Sequence, residues 1–411
     1  MVLKWEKIRK IEETEEEIDV YNLEVENNEN YFANGVLVHN CFADSFRASL
    51  YTSFFDNSKN LGMRYCKPDY FRTELDKLMK FRGVKGKGSE VQRAIGLEIP
   101  IRLGIRFEDF LPVEKRLGVS LDFLKYMAEV SYPVMINTKS ALIGQENYVK
   151  VLADNKAKAA VHITAISADD MILKSLEPAA PPFKERVQAC KSLTQAGIRV
   201  VGRIEPFMVF VNDSKDQVVE WIQAMKEAGV KNVTLDTYSW SATAPGVVRQ
   251  MEIEGWDFHR LFTLMSDAQW LGSLLLGSFM DYLREEDFSC STFDFGNVPG
   301  NNQSICCEVG DWFEGFSYGN TVMAIRFITQ TDGWVTWSMY ESFVEEHGGW
   351  LSEALRQTVY EAWNNFGNSA YFPGWGKGIE LHGVDRWGRK VWRFNKLQDD
   401  FRQDMIIQLF N

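Results

Sequence analysis

Residues 39–41 read His-Asn-Cys, and this triplet is the part of the sequence best able to do chemistry on the chain itself. The side-chain nitrogen of an asparagine can attack the carbonyl carbon of its own residue, which closes a succinimide and breaks the next peptide bond. A histidine beside it can donate a hydrogen bond or a proton to that carbonyl as charge develops there. The cysteine that follows is a good nucleophile because its thiol is partly ionised near neutral pH. His39, Asn40 and Cys41 are therefore suited to cutting and rejoining a backbone.

Taken alone, the triplet also fits an ordinary loop with a buried cysteine, but the residues before it favour the chemical interpretation. Residues 20–25 (Val-Tyr-Asn-Leu-Glu-Val) and 30–38 (Asn-Tyr-Phe-Ala-Asn-Gly-Val-Leu-Val) resemble the last two sequence blocks of inteins. The resemblance covers residues 1–40, and Met1 stands close to where the C-terminal piece of a split intein begins. It implies that an upstream chain is transferred to the Cys41 thiol, that Asn40 cyclises with help from His39, and that an acyl shift restores a peptide bond.

Two positions depart from the intein pattern, and one half of it is missing. Inteins commonly carry Asp where this chain has Asn22 and His where it has Glu29, so we expect splicing steps that are slower or uncoupled. The segment contains neither a first nucleophile nor a Thr-x-x-His block, so a partner chain must supply the N-terminal half. Ten acidic side chains against four basic ones in residues 1–40 suggest a more basic partner, although a solvated acidic loop at residues 12–17 explains them equally well.

The bulk composition indicates a soluble, globular chain of more than one domain. It has 411 residues, of which 45% are hydrophobic and 25% charged, and a net charge of −12. The longest charge-free apolar run, residues 268–280, is too short to span a bilayer and predicts a buried helix. The charged N-terminus does not resemble a signal peptide. Six cysteines without a framework spacing predict a reducing, cytoplasmic location.

Beyond residue 40, the run Cys41-Phe42-Ala43 resembles the third cysteine of the radical S-adenosylmethionine motif, Cys-x-x-x-Cys-x-x-Cys. The resemblance implies that the first two cysteines lie on the partner's extein, so splicing would complete the motif. Three thiolates would leave the fourth iron of a [4Fe-4S] cluster open to the amino and carboxylate groups of S-adenosylmethionine. One-electron cleavage of that cofactor would then give a 5′-deoxyadenosyl radical.

The following residues alternate between helical and strand patterns. A helix over residues 70–81 and a strand over 98–104 precede four helix-then-strand units at residues 121–129 and 133–137, 146–155 and 159–164, 183–196 and 198–203, and 215–228 and 230–235. Ala-Gly turns join two of these units. Such alternation predicts an α/β fold with a parallel sheet and right-handed crossovers, and a partial (β/α) TIM-like barrel is its natural closure. The intein segment before it is expected to be short and all-β.

In such barrels, chemistry collects at the C-terminal ends of the strands. The polar residues expected there are Glu108, Asp109, Thr138, Lys139, Ser140, Thr164, Ser167, Arg203, Glu205 and Asp236. This set suits an adenosyl cofactor and a substrate. Each member also has a plainer interpretation: Lys139 as a solvated strand-end lysine, Arg203 with Glu205 as a structural ion pair, and Glu177-Pro178 as a turn.

Four short stretches narrow the resemblance to the spore photoproduct lyase-like branch of radical S-adenosylmethionine proteins. They are residues 137–140 (Asn-Thr-Lys-Ser), 176–186 (Leu-Glu-Pro-Ala-Ala-Pro-Pro-Phe-Lys-Glu-Arg), 196–198 (Ala-Gly-Ile), and Glu205-Pro206 with Asn212-Asp213. The similarity spans roughly residues 41–240. It implies that Lys139 contacts the carboxylate of the cofactor, and we expect Ser140, Thr164, Arg203, Glu205 and Asp236 to lie around it. Residues 107–109 (Phe-Glu-Asp) replace the branch's usual Ser-Asp-Pro, so DNA as a substrate is only what the resemblance suggests.

The C-terminal third carries weaker signals. Residues 256–284 predict an apolar helix. Cys290, Cys306 and Cys307 lack metal spacing, so we favour buried thiols over an accessory cluster or a hydrogen-atom donor. Residues 386–394 alternate aromatic and basic side chains, which on a hairpin would place Trp387, Arg389, Val391 and Arg393 on one face. A nucleic-acid surface fits that pattern, but the acidity of the chain favours a structural hairpin.

These observations divide the chain into a C-terminal intein fragment at residues 1–40, a radical S-adenosylmethionine barrel at 41–255, and an α+β extension at 256–411. Two rival interpretations stay open. Cleavage at Asn40 without ligation would expose Cys41 as the N-terminal nucleophile of an amide hydrolase, which the helix-strand alternation opposes. An inert intein remnant on a binding module is the other rival, and Asn22 and Glu29 favour it. Whether the split is genuine or Met1 reflects a truncated gene is not decided by the sequence.

Overall fold

A computed structural model describes most of the chain between residues 30 and 394. The described residues are 30–33, 36–39, 68–84, 88–104, 108–112, 114–177, 180–208, 211–237, 269–292, 307–315, 317–365 and 379–394. Asn40, Cys41, Asn22, Glu29 and Cys306 lie outside these ranges, so the predictions made for them stay predictions.

The first described elements are two short strands that pair with each other. Strand β1 (Asn30–Ala33) runs antiparallel to β2 (Val36–His39), with Asn30 opposite His39 and Ala33 opposite Val36. The two residues between them in the sequence, Asn34 and Gly35, are the pair most typical of tight hairpins. His39 is thus the last residue of a paired strand, directly before Asn40 in the sequence.

The central element is a six-stranded parallel sheet whose strands follow one another in sequence order. Its strands are β3 (Ile101–Leu103), β4 (Val134–Thr138), β5 (Ala159–Thr164), β6 (Arg199–Phe207), β7 (Asn232–Thr237) and β8 (Ser289–Thr292). Every neighbouring pair in this sheet is parallel. The α/β class and the parallel sheet predicted from the alternation are confirmed, and β5 has the predicted bounds.

Helices connect the strands and cover one face of the sheet. They are α1 (Pro68–Met79), α2 (Glu90–Gly96), α3 (Glu114–Leu117), α4 (Val119–Glu129), α5 (Glu146–Asp154), α6 (Asp170–Leu176), α7 (Phe183–Gln195), α8 (Lys215–Glu227) and α9 (Gln269–Glu285). Helix α9 contains residues 269–280 of the apolar run, and its Leu276 and Met280 are fully buried, as predicted. Residues 256–268 lie outside the described ranges.

Alternation along the strands separates an apolar outer face from an inner face. Val134, Ile136, Val161 and Val233 point outward into the main core, where the helices pack on them. Gly202 shows how close this packing is, because a β-carbon there would lie 2.8 Å from the ring of Trp221 on α8. The outward positions thus supply the folding free energy, which leaves the inward positions available for other roles.

A segment after β8 closes the lower end of the inner face, where the strands begin. Cys307, Val309 and Phe313 pack against Met135, Ala160 and Val201. The Trp312 indole nitrogen donates to the carbonyl oxygen of Ala159 at 2.9 Å, and Lys158 and Arg199 each place a cation 5.0 Å from the Trp312 ring. The inner face therefore has an apolar floor. It consists of six side chains: Met135, Ala160, Val201, Cys307, Val309 and Phe313.

The C-terminal part forms a second, aromatic core. Its elements are α10 (Thr321–Gln330), β9 (Trp334–Val335), α11 (Trp337–Glu346), α12 (Glu353–Asn365), β10 (Ile379–Val384) and β11 (Lys390–Phe394), with the strands in the antiparallel order β10-β11-β9. We call residues 317–394 the C-terminal module. None of the helices in the described ranges has the length and apolarity needed to cross a bilayer.

The predicted hairpin near the end of the chain exists, but part of the stretch expected to alternate as a strand is its turn. Residues 385–389 connect β10 to β11, and the Asp385 carboxylate accepts hydrogen bonds from the backbone N–H groups of Trp387 and Arg389. The strand alternation predicted for Trp387 and Arg389 is therefore wrong, because an aspartate-capped turn holds these residues. Trp392 is 4% exposed and belongs to the aromatic core, as the structural interpretation of the hairpin requires.

Candidate functional site

Charged and polar side chains line the inner face directly above the apolar floor. Asn137 and His162 come two residues after Met135 and Ala160 on their strands, and they lie side by side in register. Arg203 comes two residues after Val201 on the next strand. Because side chains alternate along a strand, these residues lie on the same face as the floor. The resulting set, which we call the inner polar layer, comprises Arg102 on β3, Asn137 on β4, His162 on β5, Arg203 on β6 and Thr234 on β7.

Two arginines converge on one amide in this layer. With the Asn137 amide oriented so that its oxygen faces these donors, the oxygen accepts from Arg102 Nε at 3.0 Å, Arg102 Nη2 at 2.6 Å and Arg203 Nη1 at 3.2 Å. The guanidinium groups of Arg102 and Arg203 are therefore held near each other, although β4 and β5 lie between their strands. The neutral oxygen compensates neither charge, and Glu205 pairs with Arg203 alone, so the charge of Arg102 gives the layer a local positive potential.

His162 and Thr234 each bury a polar atom that has no hydrogen-bond partner in the described part of the protein. His162 is 1% exposed and its Nε2 is unpaired, while Thr234 is 2% exposed and its Oγ1 is unpaired. Burial lowers the pKa of His162 well below its ordinary value, and the charges of Arg203 and Arg102 lower it further. The imidazole is thus neutral at physiological pH and can both donate and accept.

Further up the strands, toward their carboxyl ends, acidic groups appear on the same face. Glu205 forms an ion pair with Arg203 two residues before it, and Asp236 follows Thr234 by two residues on β7. Thr164 lies opposite Arg203 in register and is 5% exposed. Thr164, Arg203, Glu205 and Asp236 thus lie toward the carboxyl ends of β5, β6 and β7, and their role at a cofactor stays a prediction.

Lys139, the first residue after β4, is held by a buried ion-pair network. Its Nζ lies 2.9 Å from Oε1 of Glu177, whose Oε2 lies 2.6 Å from Nη1 of Arg186. Arg186 also donates to the carbonyl oxygens of Thr164 and Pro181, both at 2.8 Å. Burial alone would raise the pKa of Glu177, but Lys139 and Arg186 outweigh it and hold that pKa below its ordinary value. The ion pair with Glu177 therefore fixes the orientation of the Lys139 side chain, which is not a freely solvated lysine.

A second buried carboxylate fixes the start of the same loop. Glu108 accepts hydrogen bonds from Thr138 Oγ1 at 2.6 Å, from the Lys139 backbone N–H at 2.8 Å and from the Phe110 N–H at 3.0 Å. Burial raises its pKa despite these bonds. Asp109 accepts from the Gly104 N–H at 2.6 Å. Glu108 and Asp109 thus hold the ends of β3 and β4 together and leave their oxygens little access to a ligand.

Other predicted site residues have local structural partners. The Ser140 hydroxyl caps a short 3-10 helix, Ala141–Gly144, by accepting from the Leu142 N–H at 3.3 Å. Ser167 Oγ donates to Gln217 and accepts from the Asp169 N–H. Cys290 faces the helices and donates to the Met280 carbonyl at 3.6 Å, while Cys307 lies in the floor. Within the described ranges no group of three metal-ligating side chains comes together.

Sequence reasoning missed Arg102, Asn137, His162 and Thr234 as a set. Asn137 and His162 lie inside runs that predict buried strands, and buried polar residues at every second position were the available signal. Arg186 was also missed as a site residue, because its partner Glu177 comes nine residues earlier, directly after a different helix. Only the fold reveals that these side chains share one face or one ion-pair network.

Comparisons with known proteins gave distant structural similarities. No family model matches the chain, and no curated protein matches it. Among solved structures, Streptococcus suis SuiB bound to its precursor peptide SuiA is similar at 17% identity and a TM-score of 0.35, over 57% of this chain and 44% of that one. Spore photoproduct lyase complexed with dinucleoside spore photoproduct is similar at 12% identity and a TM-score of 0.37, over 52% and 56%.

A third similar structure is Streptococcus suis SuiB bound to S-adenosylmethionine, at 13% identity and a TM-score of 0.34, over 60% of each chain. The chain spans about half the length of the first of these solved structures. What these proteins bind and act on is stated for them alone.

Proposed function

We propose that residues 41 onward form the larger part of a radical S-adenosylmethionine enzyme, and that residues 1–40 join it to a partner chain by protein splicing. The observation that carries the enzymatic half is the inner face of the parallel sheet. Above an apolar floor it presents cations, a neutral histidine and, at the carboxyl edge, Lys139, Glu205 and Asp236. A sheet that served packing alone would have no need of such a set.

The donor set fits the cofactor. S-adenosylmethionine carries a carboxylate, an ammonium and ribose hydroxyls, and Lys139 offers a cation whose side chain is 22% exposed at the strand end. Glu177 fixes the direction of the Lys139 ammonium, whose charge suits the carboxylate of the cofactor. Glu205 and Asp236 supply acceptors for an ammonium or for hydroxyls. When bound to a [4Fe-4S] cluster, the cofactor supplies radical chemistry through reductive cleavage of its sulfonium group.

In this proposal the residues of the chain bind, orient and exclude water. Arg186 and Glu177 hold Lys139, while Glu108 holds the backbone N–H of the same residue. The floor closes the lower end of the sheet to solvent. Cys41 would contribute one thiolate to the cluster, with the other two on the partner's extein. The lyase-like branch is the finer proposal, supported by residues 137–140 and 176–186.

The splicing half rests on the sequence blocks and on the hairpin before Asn40. Pairing of Asn30 with His39 fixes the backbone one residue ahead of the predicted cleavage position. That placement supports the proposal, because an asparagine side chain closes on its own carbonyl only when the neighbouring backbone holds it in the reactive geometry. A partner with the N-terminal half would supply the thioester.

The splicing proposal is tested by mass spectrometry of a native-cell extract. The tryptic peptide that ends with residues 41–47 (Cys-Phe-Ala-Asp-Ser-Phe-Arg) should carry foreign residues with further cysteines before Cys41. Residues 38–40 still attached to this peptide would show an inert remnant. A free Cys41 amine would instead favour cleavage without ligation and the amide hydrolase.

The enzymatic proposal is tested on the ligated product. After anaerobic reconstitution we expect about four iron and four sulfide per chain, and equilibrium dialysis should show binding of S-adenosylmethionine. Lys139→Ala should weaken that binding at least about tenfold, and the fold should survive because Arg186 still pairs with Glu177. Lys125→Ala, on the exposed side of α4, is the matched control and should change nothing. Equal binding by both variants would refute the role of Lys139.

A further inference from the structure

We propose that the inner polar layer is a binding site for the oxyanion of a small substrate, either a carboxylate or a phosphate. This inference rests on the proposed function and adds the substrate class. The site is separate from Lys139. On β4, Asn137 lies two residues deeper than Lys139, a distance of about 7 Å along the strand. The members of the site are Arg102, Asn137, His162 and Arg203, with Thr234 beside them.

The first argument is charge. Arg102 forms no salt bridge with a carboxylate anywhere in the described ranges, and its Nε and Nη2 both point at the Asn137 amide oxygen. Arg203 directs Nη1 to the same oxygen while Glu205 takes another of its nitrogens. A guanidinium fork matches the geometry of a carboxylate or a phosphate. The fork of Arg102 is directed at a neutral oxygen, and its Nη1 lies 3.9 Å from the Cys307 sulfur. An oxyanion beside Asn137 would compensate the charge of Arg102 and would also lie beside the guanidinium of Arg203.

The second argument is independent of charge. His162 Nε2 and Thr234 Oγ1 are buried polar atoms without a partner in the described part of the protein. Such atoms are rare in folded proteins because each lost hydrogen bond is unfavourable. His162 lies next to Asn137 in register, and Thr234 lies next to Arg203 on the other side. A ligand whose oxyanion accepts from His162 and whose adjacent polar atom reaches Thr234 would satisfy both atoms.

The third argument is depth. The apolar floor lies one side-chain layer below, with Met135, Ala160 and Val201 two residues before Asn137, His162 and Arg203. A ligand that enters from the carboxyl edge therefore meets cations last and then a closed surface. Only about 7 Å along the strand separates the layer from Lys139, so the oxyanion and the reacting carbon must be a few bonds apart. This spacing suits a small acid or phosphate ester, with the oxyanion at its deep end.

The site can be observed directly through His162. The chain has five histidines, so the imidazole ¹⁵N resonances are few, and His162→Gln assigns the one in question. We expect titration with inorganic phosphate or with acetate, at constant ionic strength, to shift the His162 resonances in a saturable way. The probe that binds more tightly identifies the oxyanion, phosphate or carboxylate.

Variants at Arg102 test whether binding of the probe depends on the inner polar layer. Arg102→Gln should weaken phosphate or acetate binding at least about tenfold, and Arg102→Lys should weaken it less, because lysine keeps the charge but lacks the fork. Arg72→Gln, an arginine in a surface pair with Glu129, is the matched control and should leave binding unchanged. Circular dichroism establishes that each variant is folded, and the lysine variant keeps the test valid should the glutamine variant unfold.

Three results would overturn the inference. They are saturation by neither probe in the folded chain, equal weakening by Arg72→Gln, and complete displacement of the bound probe by S-adenosylmethionine, which would assign the layer to the cofactor's own carboxylate. Failure of the proposed function gives a different pattern. In that case, the chain binds phosphate or acetate in an Arg102-dependent way but does not bind S-adenosylmethionine.

Discussion

The inner polar layer of the sheet and the aromatic core of the C-terminal module both bury side chains that carry polar atoms, but these atoms differ in whether they have hydrogen-bond partners. In the module, the Trp363 indole donates to the Lys390 carbonyl at 2.8 Å, and the Trp392 indole donates to the Trp363 carbonyl at 3.0 Å. The Tyr340 hydroxyl lies within 2.9 Å of two backbone carbonyl oxygens. On the sheet, His162 and Thr234 keep buried polar atoms without partners in the described part of the protein. Ser317 does so at the start of the module, outside its aromatic core.

The difference separates a region built for stability from one prepared for a ligand. Satisfied aromatic donors add hydrogen bonds to the free energy gained from burying the rings. Unsatisfied buried atoms reduce stability, and such a loss is retained where a function needs it. We therefore expect substitutions in the module to act on stability, and substitutions in the inner polar layer to act on binding.

The largest effect is expected for Trp363→Ala in the module. Trp363 is fully buried and packs against Trp337 and Tyr340 at centroid distances of 5.5 and 5.8 Å. Removing its ring leaves a cavity and an unpaired Lys390 carbonyl, which should lower the free energy of unfolding by about 4 kcal/mol. Chemical denaturation followed by tryptophan fluorescence measures this change.

Trp387→Ala is the matched control for that substitution. The Trp387 side chain is 60% exposed on the hairpin turn, where its ring lies against the guanidinium groups of Arg386 and Arg389. Its loss should change stability by less than about 0.5 kcal/mol. Equal losses from both variants would contradict the assignment of the module's stability to the buried aromatic core.

Arg186→Met should have the next largest effect, of about 3 kcal/mol. Methionine is apolar and has a similar length, so the substitution removes the charge and keeps most of the packing. Glu177, whose side chain is 2% exposed, is then left with Lys139 as its remaining cation. The double variant Arg186→Met, Glu177→Gln should recover part of the loss, because no uncompensated charge then stays buried. If the double variant is no more stable than Arg186→Met, buried charge is not the cause.

The same network gives a pH dependence whose sign is fixed. Because the pKa of Glu177 is lowered in the folded protein, its ion pairs stabilise the fold above the unfolded-state pKa, and this contribution is lost as the pH falls through the folded-state pKa. The difference in free energy of unfolding between the wild type and Glu177→Gln should therefore shrink at acidic pH. Glu108 has a raised pKa and acts in the opposite direction, so only the difference isolates Glu177.

Two glycines with nearly the same backbone conformation offer a smaller and sharper comparison. Gly104 at the end of β3 has φ +73° and Gly388 in the hairpin turn has φ +78°. A β-carbon at Gly104 would lie 1.8 Å from the Asn137 carbonyl oxygen, whereas one at Gly388 would meet nothing within 4 Å. Gly388→Ala should cost about 1 kcal/mol from conformation alone, and Gly104→Ala about 2 kcal/mol more from crowding. Thermal denaturation of both variants distinguishes the two contributions.

The elements of the sheet could be predicted from the sequence because their signals are local. Apolar runs such as residues 159–164, preceded by a segment with helical periodicity, identify strands without knowledge of their neighbours. The strand alternation predicted for Trp387 and Arg389 was wrong because the side-chain hydrogen bonds of Asp385 hold these residues in a turn. Turn chemistry competes with strand patterns wherever an aspartate begins the connection.

The inner polar layer could not be predicted, because its members come from five strands spread over more than 130 residues. Arg102 and Arg203 meet at Asn137 only once the strand order is known. Lys139 was found from its motif, whereas the network that orients it depends on Glu177 and Arg186, whose contact needs the fold. Residues at strand ends are thus accessible to sequence reasoning, and residues that meet across strands are not.

The smallest expected effect is an absence of reaction at two buried thiols on the helix side of the sheet. Burial raises the pKa of Cys190 to about 12 and that of Cys290 to about 11, so at pH 8 only about one Cys290 thiol in a thousand is ionised. Iodoacetamide should leave both unmodified in the folded chain and modify both after denaturation, as measured by peptide mass spectrometry. Rapid modification of Cys290 in the folded chain would place that thiol within reach of solvent, and the functional chemistry could then no longer be assigned to the inner face alone.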